Sequence, residues 1–279
     1  MTSILALMPL YIWTVLLVLL PMGYVFLISF ATRNEIYGVD YVFNFESYKK
    51  LLAPVNLQIL WASLKMAVWT TLSTLVIGYP FAQAMAARRS ARQRNLILLL
   101  VIVPFWTSAL LRVYGWMTFL RSNGTLNTVL LNMGLIDTPI RFLYHQGSVL
   151  FGMVYSLLPF MILPLYTSIE KQDHSIIEAA RDLGANPVKA FFTITLPMTM
   201  PGVVSGSMLV FVPSVGLFFI SDLMGGGKEM VLGNLINHYL HAGKDWPLGA
   251  ALSMVMMVLS LLTMSVYRKY AGNDSLGVF

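Results

Sequence analysis

The sequence predicts an all-α integral membrane protein of six transmembrane helices in a single domain, on three observations. First, 57% of the 279 residues are hydrophobic and only 11% are charged, with a mean hydropathy of +0.73. A soluble domain carries about 25% charged residues, and a surface this poor in charge would aggregate in water. Second, the apolar residues fall into charge-poor runs of roughly 20 or more, the length that crosses a hydrocarbon core. Third, the basic residues gather in short loops on one side, as topology determinants do. The aromatic content and low charge exclude disorder. The absence of cysteine excludes disulfides, thiolate metal sites and cysteine nucleophiles.

The first span, residues 4–30, holds no charge, and it is too long and too weakly flanked by charge for a cleaved signal peptide. The second runs over 59–87 and takes in Lys65 near one end, where its stem can snorkel. The third, 96–120, carries one charge, Arg112. The spans 147–169, 201–221 and 247–267 carry none. An even number of spans leaves both termini on one side. Counted loop by loop, that side has a net charge of +4, led by Arg88, Arg89, Arg92 and Arg94, and the other side sums to zero. Basic loops stay in the cytoplasm, so both termini are expected there. The net charge of +6 therefore orients the chain, and no basic-aromatic patch points to nucleic acid.

Two outer loops have patterns of their own. In 31–58, Tyr48, Leu51 and Leu52 suggest a short helix at the interface. In 121–146, Asn127 is placed to cap a helix over 128–133 that Gly134 ends, with Pro139 marking the following turn. Whether that helix lies flat on the membrane or plugs the bundle stays open.

The cytoplasmic loop 170–200 is longer than a connection needs. Ser175-Ile-Ile-Glu178 reads as a capping box opening a short helix to Leu183, with Ile176, Ala180 and Leu183 on one face and Arg181 and Asp182 elsewhere. Gly184 supplies a left-handed stop. Asn186-Pro187 opens a second helix that is expected to end against Pro197. An amphipathic loop without a partner would show much the same pattern.

Glu178-Ala179-Ala180, Gly184 after three intervening residues, then Ile194 and Leu196-Pro197 resemble the EAA loop of ABC-importer permeases, in spacing and in place. Val103-Pro-Phe-Trp-Thr-Ser, Leu111-Arg-Val-Tyr-Gly, Ile136-Asp-Thr-Pro-Ile-Arg141, Leu158-Pro-Phe-Met, Ser221-Asp-Leu-Met-Gly-Gly226 and Asp245-Trp-Pro are similar to the spermidine/putrescine branch. The likeness spans about 96–250; the first span and the tail match in hydropathy and size alone. It implies a type I ABC-importer permease fold with a cytoplasmic coupling helix. The implied partners are a homologous second permease, two cytoplasmic ATPases and an extracytoplasmic polyamine-binding protein. It also implies that Glu178 pairs with a basic groove residue of the ATPase, that Ala179 and Ala180 allow close approach, and that Gly184 supplies the bend. No cofactor is expected in the chain itself: Gly225-Gly-Gly-Lys228 lacks the spacing of a P-loop and Glu229 stands where Ser or Thr would bind Mg²⁺, so ATP and Mg²⁺ belong to the partner ATPase.

An organic dication calls for aromatic faces or carboxylates along its path, each ring being worth about 0.5–2 kcal/mol. Trp106, Tyr114 and Trp116 are candidates, although Tyr114 and Trp116 fall about 80° to either side of Trp106 on a helix. Membrane-interface anchoring is the competing role for at least one of them. Trp13 and Tyr48 are weaker candidates, with core packing and interface anchoring as their alternatives. Asp222, adjoining the outer end of the fifth span, is placed to meet a cation at the mouth or simply to be a solvated cap. Arg112 would repel a dication, so it is expected to bond backbone carbonyls or pair with the second permease. Pro213 is expected to help a helix bend at a gate, and Gly202-Val-Val-Ser-Gly206 to pack closely against the partner permease.

Other classes fit less well. His238 and His241 are three apart, with His145 and His174 in other loops, so a metal site or membrane enzyme is not expected. A secondary transporter would carry an acid in mid-span. A permease for another solute, such as an anion or Fe³⁺, is the nearest rival.

Overall fold

A computed structural model describes residues 2–34, 38–88, 90–182 and 184–271, and among these every regular element is helical apart from one small hairpin. Helix α1 covers 2–29, with a π turn at Val15–Leu19 just before Pro21, whose missing N–H would otherwise leave a gap in the ladder. Strands β1 (Thr32–Asn34) and β2 (Gly38–Asp40) pair antiparallel, Arg33 opposite Val39. The expected interfacial helix is α2 (Glu46–Leu51), opened by Asn44, whose Oδ1 accepts from the Glu46 N–H at 2.7 Å. Pro54 occupies the first turn of α3 (Pro54–Ala86).

The core is built around α7 (Gln146–Glu170). Val149, Met153, Leu157, Met161 and Leu165 recur every four residues along it, and none is more than 3% exposed. This stripe packs against α3 and against α10 (Met200–Gly216). The last helix, α13 (Trp246–Ala271), packs on α10 and on the second half of α1. Only 11% of the first apolar stretch, Met8–Ser29, is buried, against 56% for α7.

Lipid tails give helices no hydrophobic reason to associate, so close van der Waals approach at small residues has to do it. A Cβ on Gly206 would lie 2.8 Å from the Met161 sulfur, and one on Gly202 would run into Ser168 and the Pro164 carbonyl. The Gly202–Gly206 pattern thus packs against α7 of the same chain, not against a partner permease as the sequence suggests. Gly206→Leu is expected to destabilise the bundle by about 1–3 kcal/mol through overpacking. Thermal melting of the detergent-solubilised protein measures it, and an unchanged midpoint would mean that α7 and α10 separate easily.

Two expected spans are broken. In place of one helix over 96–120, α4 (Ala91–Ile102) tightens into a 3₁₀ turn at Val103–Trp106, and α5 (Ala109–Leu120) starts anew at 92° to it. Pro104 lies in that turn, and Thr107 and Ser108 are extended at the break. The expected span 201–221 divides into α10 and α11 (Phe218–Gly225), parted at Leu217. The break thus comes four residues after Pro213, where the Leu217 N–H still bonds the Pro213 carbonyl. Four described helices can cross a membrane unbroken, and six spans result if each of two bent pairs, Ala91–Trp106 with Ala109–Asn132 and Pro187–Met198 with Met200–Gly216, counts as one.

Asn127 does not cap its helix. Here α6 (Thr125–Asn132) begins at Gly124, and Asn127 is fully buried one turn in. Its amide donates to the Arg121 and Ile140 carbonyls and accepts from the Ile140 N–H, so one side chain staples the outer loop across 13 residues.

Candidate coupling element and solute path

Helix α8 (His174–Asp182) starts slightly earlier than the capping box predicts. Asp173 is the cap, its Oδ1 accepting from the Ser175 N–H at 2.9 Å. Ser175 therefore lies inside the helix, and Glu178 and Ala179 are exposed with Ala180 half-buried. Leu183 and the Arg181 side chain, both used in the predicted face, lie outside the described residues. Gly184 has φ +84°, and the Ala185 N–H closes back on the Ala180 carbonyl at 3.0 Å, satisfying a helix-end acceptor. Only glycine holds that conformation without strain.

Asn186 caps the next helix, its Oδ1 accepting from the Val188 N–H at 2.7 Å, with Pro187 first in line. This helix, α9 (Pro187–Met198), passes through Pro197 instead of stopping there. A π turn at Phe191–Thr195 lets the Leu196 N–H bond the Phe191 carbonyl and shifts the ladder past the proline.

The element is clamped at its base. Arg94 pairs with Glu170 at 3.2 Å, and the Gln172 amide donates to the Thr195 carbonyl at 2.9 Å. The buried hydroxyls of Tyr79 and Thr199 meet at 2.8 Å where α9 turns by 68° into α10. Beyond the clamp, Ile176, Val188 and Phe192 are exposed, the last two above 60%. Glu178 is thus exposed on an anchored stem, on the same short helix as the exposed Ile176.

The candidate path residues do not form one cluster. Trp106 ends the 3₁₀ turn and is 79% exposed. Tyr114 is exposed on α5, whereas Trp116 is half-buried among Phe119, Phe151 and Tyr155. Trp13 is exposed on α1. Tyr48 meets the buried Ser29 hydroxyl at 2.9 Å and packs on Phe30, pinning α2 to α1. Asp222 sits exposed within α11, accepting a hydrogen bond from the Asn234 amide.

Arg112 faces the break in the third span. Its guanidinium donates to the Pro104 carbonyl at 2.9 Å and to that of Thr107, and lies 4.3 Å over the Phe105 ring. These are the backbone carbonyls that the sequence reading expects it to find.

Two elements have no counterpart in the sequence reading, the β1–β2 hairpin and a short outer helix. Helix α12 (Leu232–Asn237) runs into a π turn at His238–Ala242 and tucks under the bundle end. Ser63 accepts from the Leu232 N–H at 2.7 Å, and Asp245 caps α13. Val231-Leu-Gly-Asn-Leu-Ile is apolar enough to have signalled it, but at six residues it is too short to stand out as periodic.

Residues 75–271 match the binding-protein-dependent transport system inner membrane component family. The chain belongs to this family. It is 47% identical over 91% of its length to the spermidine/putrescine transport system permease protein PotB of Salmonella typhimurium (strain SL1344), covering 88% of that protein. With PotB of Haemophilus influenzae the identity is 44% over 92% of the chain and 90% of the relative. Among solved structures it is similar to a bacterial alginate ABC transporter in complex with an alginate pentasaccharide-bound periplasmic protein. The TM-score is 0.77 at 17% identity, over 97% of this chain and 94% of that one. As an inner membrane component of this family, the protein is a multi-pass transport subunit rather than an enzyme, and it has a type I permease fold.

Proposed function

We propose that the chain is one permease of an ATP-driven importer that passes spermidine or putrescine from a binding protein across the inner membrane. The observation that carries the reading is the 47% identity to a spermidine/putrescine permease over nine-tenths of the chain. In this reading a homologous second permease completes the pore, two cytoplasmic ATPases drive it, and a polyamine-binding protein delivers from outside. Both termini and α8 lie in the cytoplasm, in keeping with the basic turn at 88–94. Glu178, Ala179, Ala180 and Gly184 form the contact with the ATPase, and the exposed Ile176, Val188 and Phe192 supply apolar area around it. Arg112 is occupied by Pro104 and Thr107, which takes the strongest argument against a cationic solute out of the path.

Deleting the gene is expected to abolish high-affinity, ATP-dependent uptake of radiolabelled spermidine or putrescine. Uptake in the parent should be competed by unlabelled polyamines and not by sugars, sulfate or Fe³⁺. Intact uptake in a deletion strain with no second importer would overturn the substrate.

Trp106 and Asp222 remain the proposed holding points, with Tyr114 and Trp116 behind them, Trp13 and Tyr48 at the margin, and Pro213 beside the Leu217 break. Trp106→Ala should raise the half-saturating concentration about 2- to 10-fold by removing a cation-binding face. Asp222→Asn keeps an acceptor for Asn234 and removes only charge, so its loss should shrink in high salt. Unchanged uptake kinetics in both variants would assign these residues to packing.

A further inference from the structure

The bundle end opposite α8 and α9 carries two clefts of different character. One, of about 710 Å³, is bordered by Arg121, Arg141 and Lys228 and by no carboxylate, which suits a polycation badly. The other, of about 470 Å³, lies between α3, the start of α7 and the segment before α12. It is lined by Gln58, Trp61, Lys65, Trp69, Gln146 and Glu229. Left-handed turns at Gly226 and Gly227 precede Lys228 and Glu229, which border different clefts.

Trp61, Lys65 and Trp69 are spaced four apart and share one face of α3, so the two indoles stand about 12 Å apart along the axis. The Lys65 ammonium lies over the Trp61 ring, 5.5 Å from its centroid. Neither Lys65 nor Glu229 forms an ion pair among the described residues. A lysine side chain is a primary ammonium on a four-carbon stem, chemically the end of an aliphatic polyamine. In a span, a charged side chain needs a partner or a water-filled cavity, and this cleft offers both an aromatic face and a nearby carboxylate.

We propose that this cleft is a polyamine-binding station in which Lys65 is a tethered stand-in for the cargo's ammonium group. Without cargo, Lys65 covers Trp61 and offsets the charge of Glu229. An arriving ammonium displaces it, taking the Trp61 face and the Glu229 carboxylate, while Gln58 and Gln146 offer amide carbonyls. The competition keeps holding weak, as passage requires. The proposal rests on the polyamine reading above.

The test uses the complete permease–ATPase complex in nanodiscs without binding protein, titrated with radiolabelled spermidine. Glu229→Gln should weaken binding about tenfold, the loss of a partly desolvated charged contact, and Glu229→Asp should restore most of it. Lys65→Met, which keeps length and removes the competing charge, should tighten binding about threefold, as the loss of one weak cation–π rival implies. Lys65→Arg should stay near wild type. Absence of saturable binding, a constant within twofold of wild type for Glu229→Gln or Lys65→Met, or weaker binding in Lys65→Met each overturns the station. Wild-type vesicles supplied with binding protein and ATP provide the control. If they import spermidine while the variants bind unchanged, the station alone fails; if they do not import it, the polyamine reading fails and the station with it.

Discussion

A complex carrying Glu178→Lys or Gly184→Val is expected to import nothing while reaching the membrane at normal abundance. Glu178 stands exposed on α8, so the substitution leaves the bundle untouched and acts only on what docks there. Against the basic groove that the proposed ATPase contact calls for, reversing the charge exchanges attraction for repulsion, about 2–5 kcal/mol for a desolvated pair and hence at least ~30-fold in affinity. Gly184→Val works from the chain side. A β-branched residue at φ +84° is strained, and relieving that strain breaks the Ala185–Ala180 closure that aims α8. Initial uptake rates at matched abundance by immunoblot decide the matter, and wild-type rates in both variants would remove α8 from the coupling path. Pulldown of the ATPase distinguishes lost docking, expected for Glu178→Lys, from misdirected docking, expected for Gly184→Val.

Arg112→Met should cost about 2–4 kcal/mol of stability and most of the import rate. The break at Thr107–Ser108 leaves carbonyls without helix partners inside an apolar span, where such groups are expensive. The Arg112 guanidinium meets the Thr107 carbonyl and shares that of Pro104 with the Thr107 N–H and hydroxyl. Methionine fills similar space and donates nothing. Arg112→Lys keeps the charge but lacks the planar face that lies over Phe105, so it should recover under half of the loss. Melting of the solubilised complex reads the effect. A Met variant as stable as wild type would show that water or the second permease serves those carbonyls instead.

Much of this fold was legible because lipid imposes a blunt rule: six apolar stretches of spanning length mark the helices whether or not their partners are known. The rule is blind to direction. Leu96–Leu120 carries no charge but Arg112, and nothing in its hydropathy distinguishes a straight span from two helices at 92°; Pro104 was the one local sign. The Gly184 elbow and the Asn186 cap were readable because each depends on its own backbone. Asp173 displaced Ser175 as the cap because two good capping residues stood two apart and propensity alone does not rank them. Asn127 misled for the same reason, since its long-range partner, Ile140, cannot be seen from the residues beside it. The partners of Gly202 and Gly206 were equally hidden, because a small-residue pattern announces close approach without naming the helix that approaches.

The sparse packing of α1 bears on how the chain is made. Its second half rests on α13, which begins at Trp246, more than 200 residues later. At a synthesis rate of about 5–20 residues per second, the first helix therefore waits roughly 10–40 s in the bilayer before its chief neighbour exists. An uncharged, almost wholly apolar helix can stay there alone, since lipid satisfies every face of it. The hairpin and α2 then keep it close, through Tyr48 on Ser29 and Phe30, until the last helix arrives. The first helix to be made is thus among the last to be locked in place, and premature termination before α13 leaves it held by that tether alone and open to quality-control proteases.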